Sequence, residues 1–306
     1  AQPDLADTIR TLWSQPISNE EVVLFLLKLI WLAPIGECAD LAFEAAMNAD
    51  FDTYPRVLGL RALAECKRTD LLRKLADDMR DHPDRWPPEI MHTTPPDLYP
   101  HVISTAELLH ILATIPPGKD EVSGFSWSLH NLIDTLEPGS EGALSLRRGL
   151  ADLIWENRAD NSTWYQPVSK YNFLAPALTK LCIGELKRSQ KPDPSVVRDT
   201  VIAHRFHGDR VLAREEKATL ASYFPPGSEA REIAILAELE VAQGLSSEKE
   251  TDALIFHVLH RGLIQSLDAS DWNWLIERLT NAPDEQSAKL FYDALMACKS
   301  GKDSWA

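Results

Sequence analysis

Three aspartates in one short segment are the residues of this sequence best suited to chemistry. The segment reads Asp77-Asp78-Met79-Arg80-Asp81, so its carboxylates lie side by side and about one turn apart on a helix. Carboxylate oxygens are ligands that Mg²⁺ prefers, and bound Mg²⁺ can neutralise a departing diphosphate. Asp77, Asp78 and Asp81 are therefore a candidate magnesium and diphosphate site.

This segment resembles the Asp-Asp-x-x-Asp motif of isoprenoid synthases, which are also all-helical. The resemblance implies a magnesium-dependent enzyme that uses Asp77, Asp78 and Asp81. Those enzymes carry a second metal-binding motif on a facing helix, and neither Asn-Asp-x-x-Ser nor a second Asp-Asp-x-x-Asp occurs here. His82-Pro83 follows directly and places the segment at a helix end. We keep the isoprenoid-synthase-like enzyme as the alternative to a non-enzymatic protein.

Two pairs of histidines have a spacing that could chelate a metal ion, because residues three apart on a helix share a face. No carboxylate is placed to orient either pair. Phosphate-binding glycine loops, nucleophile elbows and His-Glu-x-x-His do not occur in the sequence. We predict no catalytic residue, no metal-binding residue and no cofactor. The pairs are His204 with His207 and His257 with His260.

The charge of the chain narrows the classes of partner. Its 306 residues carry a formal net charge of -15, and the basic residues are scattered singly or in pairs. Nucleic acids and anionic membranes are bound by basic faces that displace counterions. We therefore expect neither a nucleic-acid partner nor a membrane partner. An apolar fraction of 44% with 25% charged residues is typical of a chain that folds.

The cysteines and the longest apolar run bear on localisation. The four cysteines lie far apart in the sequence and form no Cys-x-x-Cys or zinc-ribbon spacing, which favours free thiols in a reducing, cytoplasmic compartment. The apolar run over 22–33 contains Lys28 and is shorter than the roughly 20 residues of a membrane-spanning helix. We predict that this run is a buried core helix. The cysteines are Cys38, Cys66, Cys182 and Cys298.

Apolar residues recur with a period of 3.6 almost from end to end, and no alternating run indicates a strand. The fold class is therefore predicted to be all-α, an α-α superhelix of stacked antiparallel helix pairs. Short connections favour antiparallel neighbours. The predicted helices cover 5–15, 19–33, 37–48, 54–66, 69–81, 102–115, 121–136, 141–156, 169–188, 194–206, 229–243, 248–263, 270–280 and 284–298.

One proline-rich segment interrupts the pattern. Residues 82–101 contain six prolines, which favour extended backbone and mark a possible sub-boundary in a single domain over 1–306. Trp86, Met91 and Tyr99 lie among the prolines. Two interpretations stay open: a partner-binding loop, or a connector whose aromatic residues are buried over helix ends.

An offset of about thirty residues between helix pairs indicates a repeat. Tyr54-Pro55-Arg56-Val57 through Glu65, followed by Thr69-Asp70-Leu71-Leu72 through Asp78, resembles a HEAT repeat, with a first helix carrying Pro-Arg-Val, a turn and a second helix. The resemblance covers about 60 residues and implies an irregular HEAT/armadillo-like α-solenoid. Pro176 would suit the kinked first helix of a similar pair.

These features predict a non-enzymatic module for protein-protein interaction or ligand sensing, because stacked helix pairs present an extended binding face. The chain starts Ala1-Gln2-Pro3 without an initiator Met, which indicates a piece of a longer protein. It resembles the helical sensor region of bacterial STAND/NACHT-type NTPases, a resemblance of fold alone. We expect a protein partner.

Overall fold

The computed structural model describes residues 3–16, 19–114, 123–159, 167–188, 191–206, 219–220, 222–245, 262–264, 267 and 269–303. Within these ranges the chain forms 15 α-helices and no strand. An isolated antiparallel bridge joins Arg158 to Ser169. The predicted all-α class is confirmed.

The helices fall into two compact units, Ala1–Leu136 and Glu137–Ala306. The segment 82–101 lies inside the first unit. The helices of the first unit are α1 (Pro3–Trp13), α2 (Glu20–Leu32), α3 (Ala39–Met47), α4 (Thr53–Glu65), α5 (Thr69–Asp81), α6 (Pro88–Thr93), α7 (Pro95–Leu98), α8 (Thr105–Thr114) and α9 (Ser123–Thr135). Those of the second unit are α10 (Glu141–Glu156), α11 (Ala175–Leu186), α12 (Pro194–Phe206), α13 (Glu229–Leu245), α14 (Ala269–Thr280) and α15 (Glu285–Asp303).

Most helix boundaries agree with the sequence prediction to within about three residues, and those of α5, α10 and α12 agree to the residue. The predicted helix over 169–188 is wrong at its start, because α11 begins at Ala175. Pro176 lies in the first turn of α11, where a proline lacks only an N–H that has no partner inside the helix. It therefore starts a helix and does not kink one. The predicted helix over 248–263 lies largely outside the described residues.

Helix α4 is the centre of the first unit. Six consecutive residues, Pro55 to Leu60, are buried, so this helix is covered on every side. It packs against α2, α3 and α5, and also against α6 and α7. The contact with α3 is close: a Cβ added to Gly59 would lie 2.5 Å from the carbonyl oxygen of Ala42. Glycine at 59 thus permits the two backbones to approach.

The first unit is built as two rows of helices. In one row α2 contacts α4, α4 contacts α6 and α7, and both of these contact α9. In the other row α3 contacts α5 and α5 contacts α8. The amide of Asp52 donates to Oε1 of Glu20 at 3.2 Å, so α2 and α4 start side by side and run parallel. The packed pairs α2/α3 and α4/α5 are compatible with a helical repeat.

The proline-rich segment continues the first row. The extended backbone predicted for 82–101 is wrong: Pro83 begins a short 3-10 helix, Pro88 begins α6 and Pro95 begins α7. Proline at the first helical position removes no intrahelical hydrogen bond, so closely spaced prolines restart short helices. Helices α6 and α7 each contact both α4 and α9, so the two short helices together take the place of one helix in this row.

The two aromatic residues and the methionine of that segment face the core. Trp86, Met91 and Tyr99 are each 5% exposed or less. This burial is what the connector interpretation predicts. These three side chains are therefore not available to a partner, and an interaction surface of the first unit must be made by other residues.

Buried ion pairs link the helices of the second unit. Arg147 of α10 donates to the Asp199 carboxylate of α12 and, at 3.2 Å, to the Ser195 carbonyl oxygen. The other two pairs join α12 to α13 and α13 to α14. Burial requires such charges to be paired, because an unpaired ion loses its hydration without compensation. The other pairs are Arg205 with Glu238 at 2.6 Å and Arg231 with Asp271 at 2.8 Å.

The close packing of α3 against α4 at Gly59 can be tested by substitution. We expect Gly59→Ala to lower the free energy of unfolding by about 1–3 kcal/mol, because the new methyl group meets backbone that cannot move alone. Gly36→Ala is the matched control, since a Cβ there meets nothing within 4 Å, and should change it by less than about 0.5 kcal/mol. Chemical denaturation measures both. Equal effects of the two substitutions would contradict the packing described.

Candidate functional site

The aspartates of the candidate magnesium site are held by arginines. Oδ1 of Asp77 accepts from Arg73 at 2.7 Å and lies 3.0 Å from Nη1 of Arg80. The Asp81 carboxylate accepts two bonds from Arg80, at 2.9 and 3.2 Å. These guanidinium bonds are the main cause of a lowered pKa at Asp81. A magnesium site needs carboxylate oxygens that are open to metal ions, whereas these oxygens already face cations.

Asp78 points to a different part of the unit. Its Oδ1 accepts from Nη1 of Arg85 at 2.8 Å, and its Oδ2 accepts from Nε1 of Trp86 at 2.9 Å. Although helix geometry places the three aspartates within about 100° of one another, Asp78 binds partners beyond the end of α5, whereas Asp77 and Asp81 bind arginines of α5 itself. The three carboxylates therefore do not converge on one point.

A glutamate outside the Asp-Asp-x-x-Asp motif binds the same arginine as Asp77. Glu107 lies in the first turn of α8 and binds Arg73. It also accepts from the backbone amide of Ser104 at 2.8 Å, while Oγ of Ser104 accepts from the amide of Glu107 at 3.3 Å. This is a capping box. The spacing Ser104-x-x-Glu107 before an apolar run was the sequence signal for it.

Within the part of the chain that the structure describes, no group of three His, Cys, Asp or Glu side chains is arranged to hold a metal ion. His204 lies near the end of α12. His207, His257 and His260 lie outside the described residues. Cys38, Cys66 and Cys182 are free thiols, and burial is the main cause of a raised pKa in each, to about 12 for Cys182.

Arg56, from the Pro-Arg-Val of the HEAT-like segment, holds three elements together. Although only 4% exposed, it donates from Nε to the Ala46 carbonyl oxygen at 3.1 Å and from Nη1 to that of Arg85 at 3.4 Å. Its guanidinium stacks on the Trp86 ring at 4.5 Å. Burial, and then the charge of Arg85, lower the pKa of Arg56. The side chain thus joins α4 to the end of α3 and to the proline-rich segment.

One side of α2 is an uncovered apolar surface. Its inner side is formed by Val23, Leu26, Leu27 and Ile30, which are buried. The predicted buried core helix is wrong for the opposite side, where Phe25 is 58% and Leu32 is 72% exposed. We call Val22, Phe25, Leu29 and Leu32 the α2 apolar face; their spacing of 3, 4 and 3 residues places them along one side of the helix.

Charged residues border this face at one end. Glu20 and Glu21 start α2, and Asp52 precedes α4 beside them. Lys28 is the one basic residue of α2, and its Nζ lies 5.9 Å from the centroid of the exposed Tyr54 ring. Large exposed apolar patches with a polar border mark interaction surfaces. The α2 apolar face is therefore the candidate functional site.

The sequence did not distinguish the two sides of α2. The helix is EEVVLFLLKLIWL, which is apolar almost all round, and such a helix is normally buried on every side. The positions of α1, α3 and α4 in the fold decide which residues are covered. The exposed heptad-like spacing from Val22 to Leu32 was present in the sequence, but nothing in the periodicity marked it as uncovered.

Comparison of the chain with models of known protein families, with curated proteins and with solved structures found no match. Among the described helices, none is long and apolar enough to cross a membrane. A function for this chain must therefore be inferred from the geometry of the described residues.

Because Arg56 is buried and hydrogen-bonded, it should contribute more to the stability of the fold than an exposed arginine does. We expect Arg56→Ala to lower the free energy of unfolding by about 2–4 kcal/mol, because it leaves buried carbonyl oxygens unpaired and removes the stack on Trp86. Arg68→Ala, at an exposed pair with Asp70, should leave stability nearly unchanged. Thermal and urea unfolding compare the two. A greater loss in the Arg68 variant would contradict this assignment.

The Glu107 site predicts a dependence of stability on pH. The Arg73 guanidinium, followed by the Ser104 amide, lowers the pKa of Glu107 from 4.5 to about 2. A pKa that is lower in the folded state gives stability that is complete above the unfolded value and is lost as the pH falls through the folded value. We expect the stability difference between the native protein and Glu107→Gln to be constant above about pH 5 and to shrink towards pH 2. A difference that grows on acidification contradicts it.

Proposed function

We propose that this protein is a non-enzymatic helical module that binds a protein partner through the α2 apolar face. The observation that carries the proposal is the exposure of Phe25 and Leu32 on a helix whose other side is fully packed. Leaving these side chains in water forgoes the gain of roughly 1.5–3 kcal/mol that burying a large apolar side chain gives. A partner that covers them recovers this free energy on binding.

The arginine contacts favour this proposal over the isoprenoid-synthase-like alternative. In such an enzyme Asp77, Asp78 and Asp81 would bind metal ions together. Here Asp78 binds Arg85 and Trp86, while Asp77 and Asp81 bind arginines of their own helix. Guanidinium-carboxylate pairs of this kind stabilise a helix and its contacts, which is a structural role.

The two rows of helices in the first unit support a HEAT/armadillo-like repeat as the form of the module. In such a repeat each pair contacts its neighbours along the array, and the exposed side of one row provides the binding face. The parallel start of α2 and α4, joined by the bond from Asp52 to Glu20, fits that arrangement. We further propose that the module serves a larger multidomain protein as its interaction or sensing part.

A site-specific cross-link tests protein binding. We expect a photoreactive phenylalanine analogue at position 25, irradiated in extracts of cells that make the protein, to form adducts with one or a few proteins. Adding Leu32→Ser should abolish them, because it removes the adjacent apolar contact. The same analogue at the similarly exposed Tyr292 in the second unit is the matched control. Mass spectrometry identifies the adducts. Identical adducts at both positions, or none at position 25, would contradict the proposed function.

A further inference from the structure

We infer that the occupant of the α2 apolar face is an amphipathic helix of a partner protein, apolar on one side and basic at its C-terminal end. This inference rests on the proposed function and names the chemistry of the partner. The shape of the face indicates a helix. Val22 to Leu32 spans about 15 Å at the rise of an α-helix, and the residues repeat in the spacing by which two helices pack along their length.

The charges near the face indicate a basic partner. Glu21 and Asp52 are exposed at the Val22 end, and Glu20 lies between them at the start of α2. The one basic group of α2, Lys28, lies over the Tyr54 ring two residues from Asp52, so it offsets one of these three acidic charges and leaves that end acidic. Complementary charge at the border of an interface speeds association and sets orientation. Lysines or arginines of a docked helix would therefore lie over the start of α2.

The direction of the partner helix follows from the same geometry. Basic side chains stabilise a helix at its C-terminal end, where the backbone carbonyl groups carry partial negative charge. A partner with lysines at that end lies antiparallel to α2, because this direction brings the lysines to Glu21 and Asp52. Its apolar residues then pack along Phe25, Leu29 and Leu32. The docking is a helix-on-helix contact of the kind used by many peptide-binding proteins.

Two other occupants fit the face less well. A second copy of the chain brings another net charge of -15 to the contact. An anionic membrane is repelled by the acidic residues at the Val22 end. A basic helix gains from those residues in addition to the apolar contact.

Two designed peptides test the inference on the whole chain. Each has about 14 residues, four helical turns, with leucines at heptad positions a and d and a side-chain staple on its polar side that holds both equally helical. One ends in three lysines at its C-terminus, and the other ends in three glutamates. Fluorescence anisotropy at low salt measures their affinities, because surface charges act at longer range there.

We expect the lysine peptide to bind at least about tenfold more tightly than the glutamate peptide. Phe25→Ser should weaken its binding by about tenfold or more, through loss of the central apolar contact. Glu21→Gln should narrow the difference between the peptides several-fold, because it removes one of the acidic groups. Tyr292→Ser, at an exposed aromatic residue of the second unit, should change nothing. Circular dichroism checks that each variant keeps its helix content.

Several outcomes would overturn the inference. They are equal or tighter binding of the glutamate peptide, binding that Phe25→Ser does not weaken, and dimerisation that Phe25→Ser abolishes in sedimentation. Binding to phosphatidylserine vesicles in preference to the lysine peptide would assign the face to a membrane instead. Protein cross-links at position 25 without any preference for the lysine peptide overturn the basic helix alone and leave the proposed function standing. Absence of such cross-links counts against the proposed function itself.

Discussion

Buried guanidinium groups must find acceptors when they leave water, and this requirement constrains which helices of the protein can be neighbours. Arg56 binds carbonyl oxygens at the end of α3 and in the proline-rich segment. In the second unit Arg147 and Arg231 reach carboxylates on later helices. Apolar contacts supply most of the driving force for folding, but they are not directional. The arginines fix the pairing because their hydrogen bonds require particular partners in particular positions.

The α2 apolar face follows from the same packing. Once α1, α3 and α4 pack against α2, no described helix lies over Phe25 and Leu32. An uncovered apolar surface favours association, and in the proposed function the acidic residues beside it would select among partners by charge. The proposed function is thus assigned to a place where packing stops. The three aspartates of α5 differ from this face, because each of them already binds an arginine.

Local signals predicted the helices well and the proline-rich segment poorly. The boundaries of α5, α10 and α12 agree to the residue, since apolar periodicity and signals at the helix ends, such as the Ser140 cap of α10 and Pro194 in α12, act within one or two turns. The prolines in 82–101 predict extended backbone, yet Pro88 and Pro95 start helices. A proline is compatible with the first turn and incompatible with the interior, and the spacing between prolines leaves just enough residues for α6 and α7.

The sequence by itself determined that the protein is all-helical and where most helices lie, because backbone hydrogen bonding and apolar periodicity are local properties. It did not determine the roles of Asp77, Asp78 and Asp81, which depend on arginines up to seven residues away and on the direction of each side chain. It also did not determine which side of α2 is covered. Only the tertiary structure decided these points, because burial depends on helices that are distant in the sequence and adjacent in the fold.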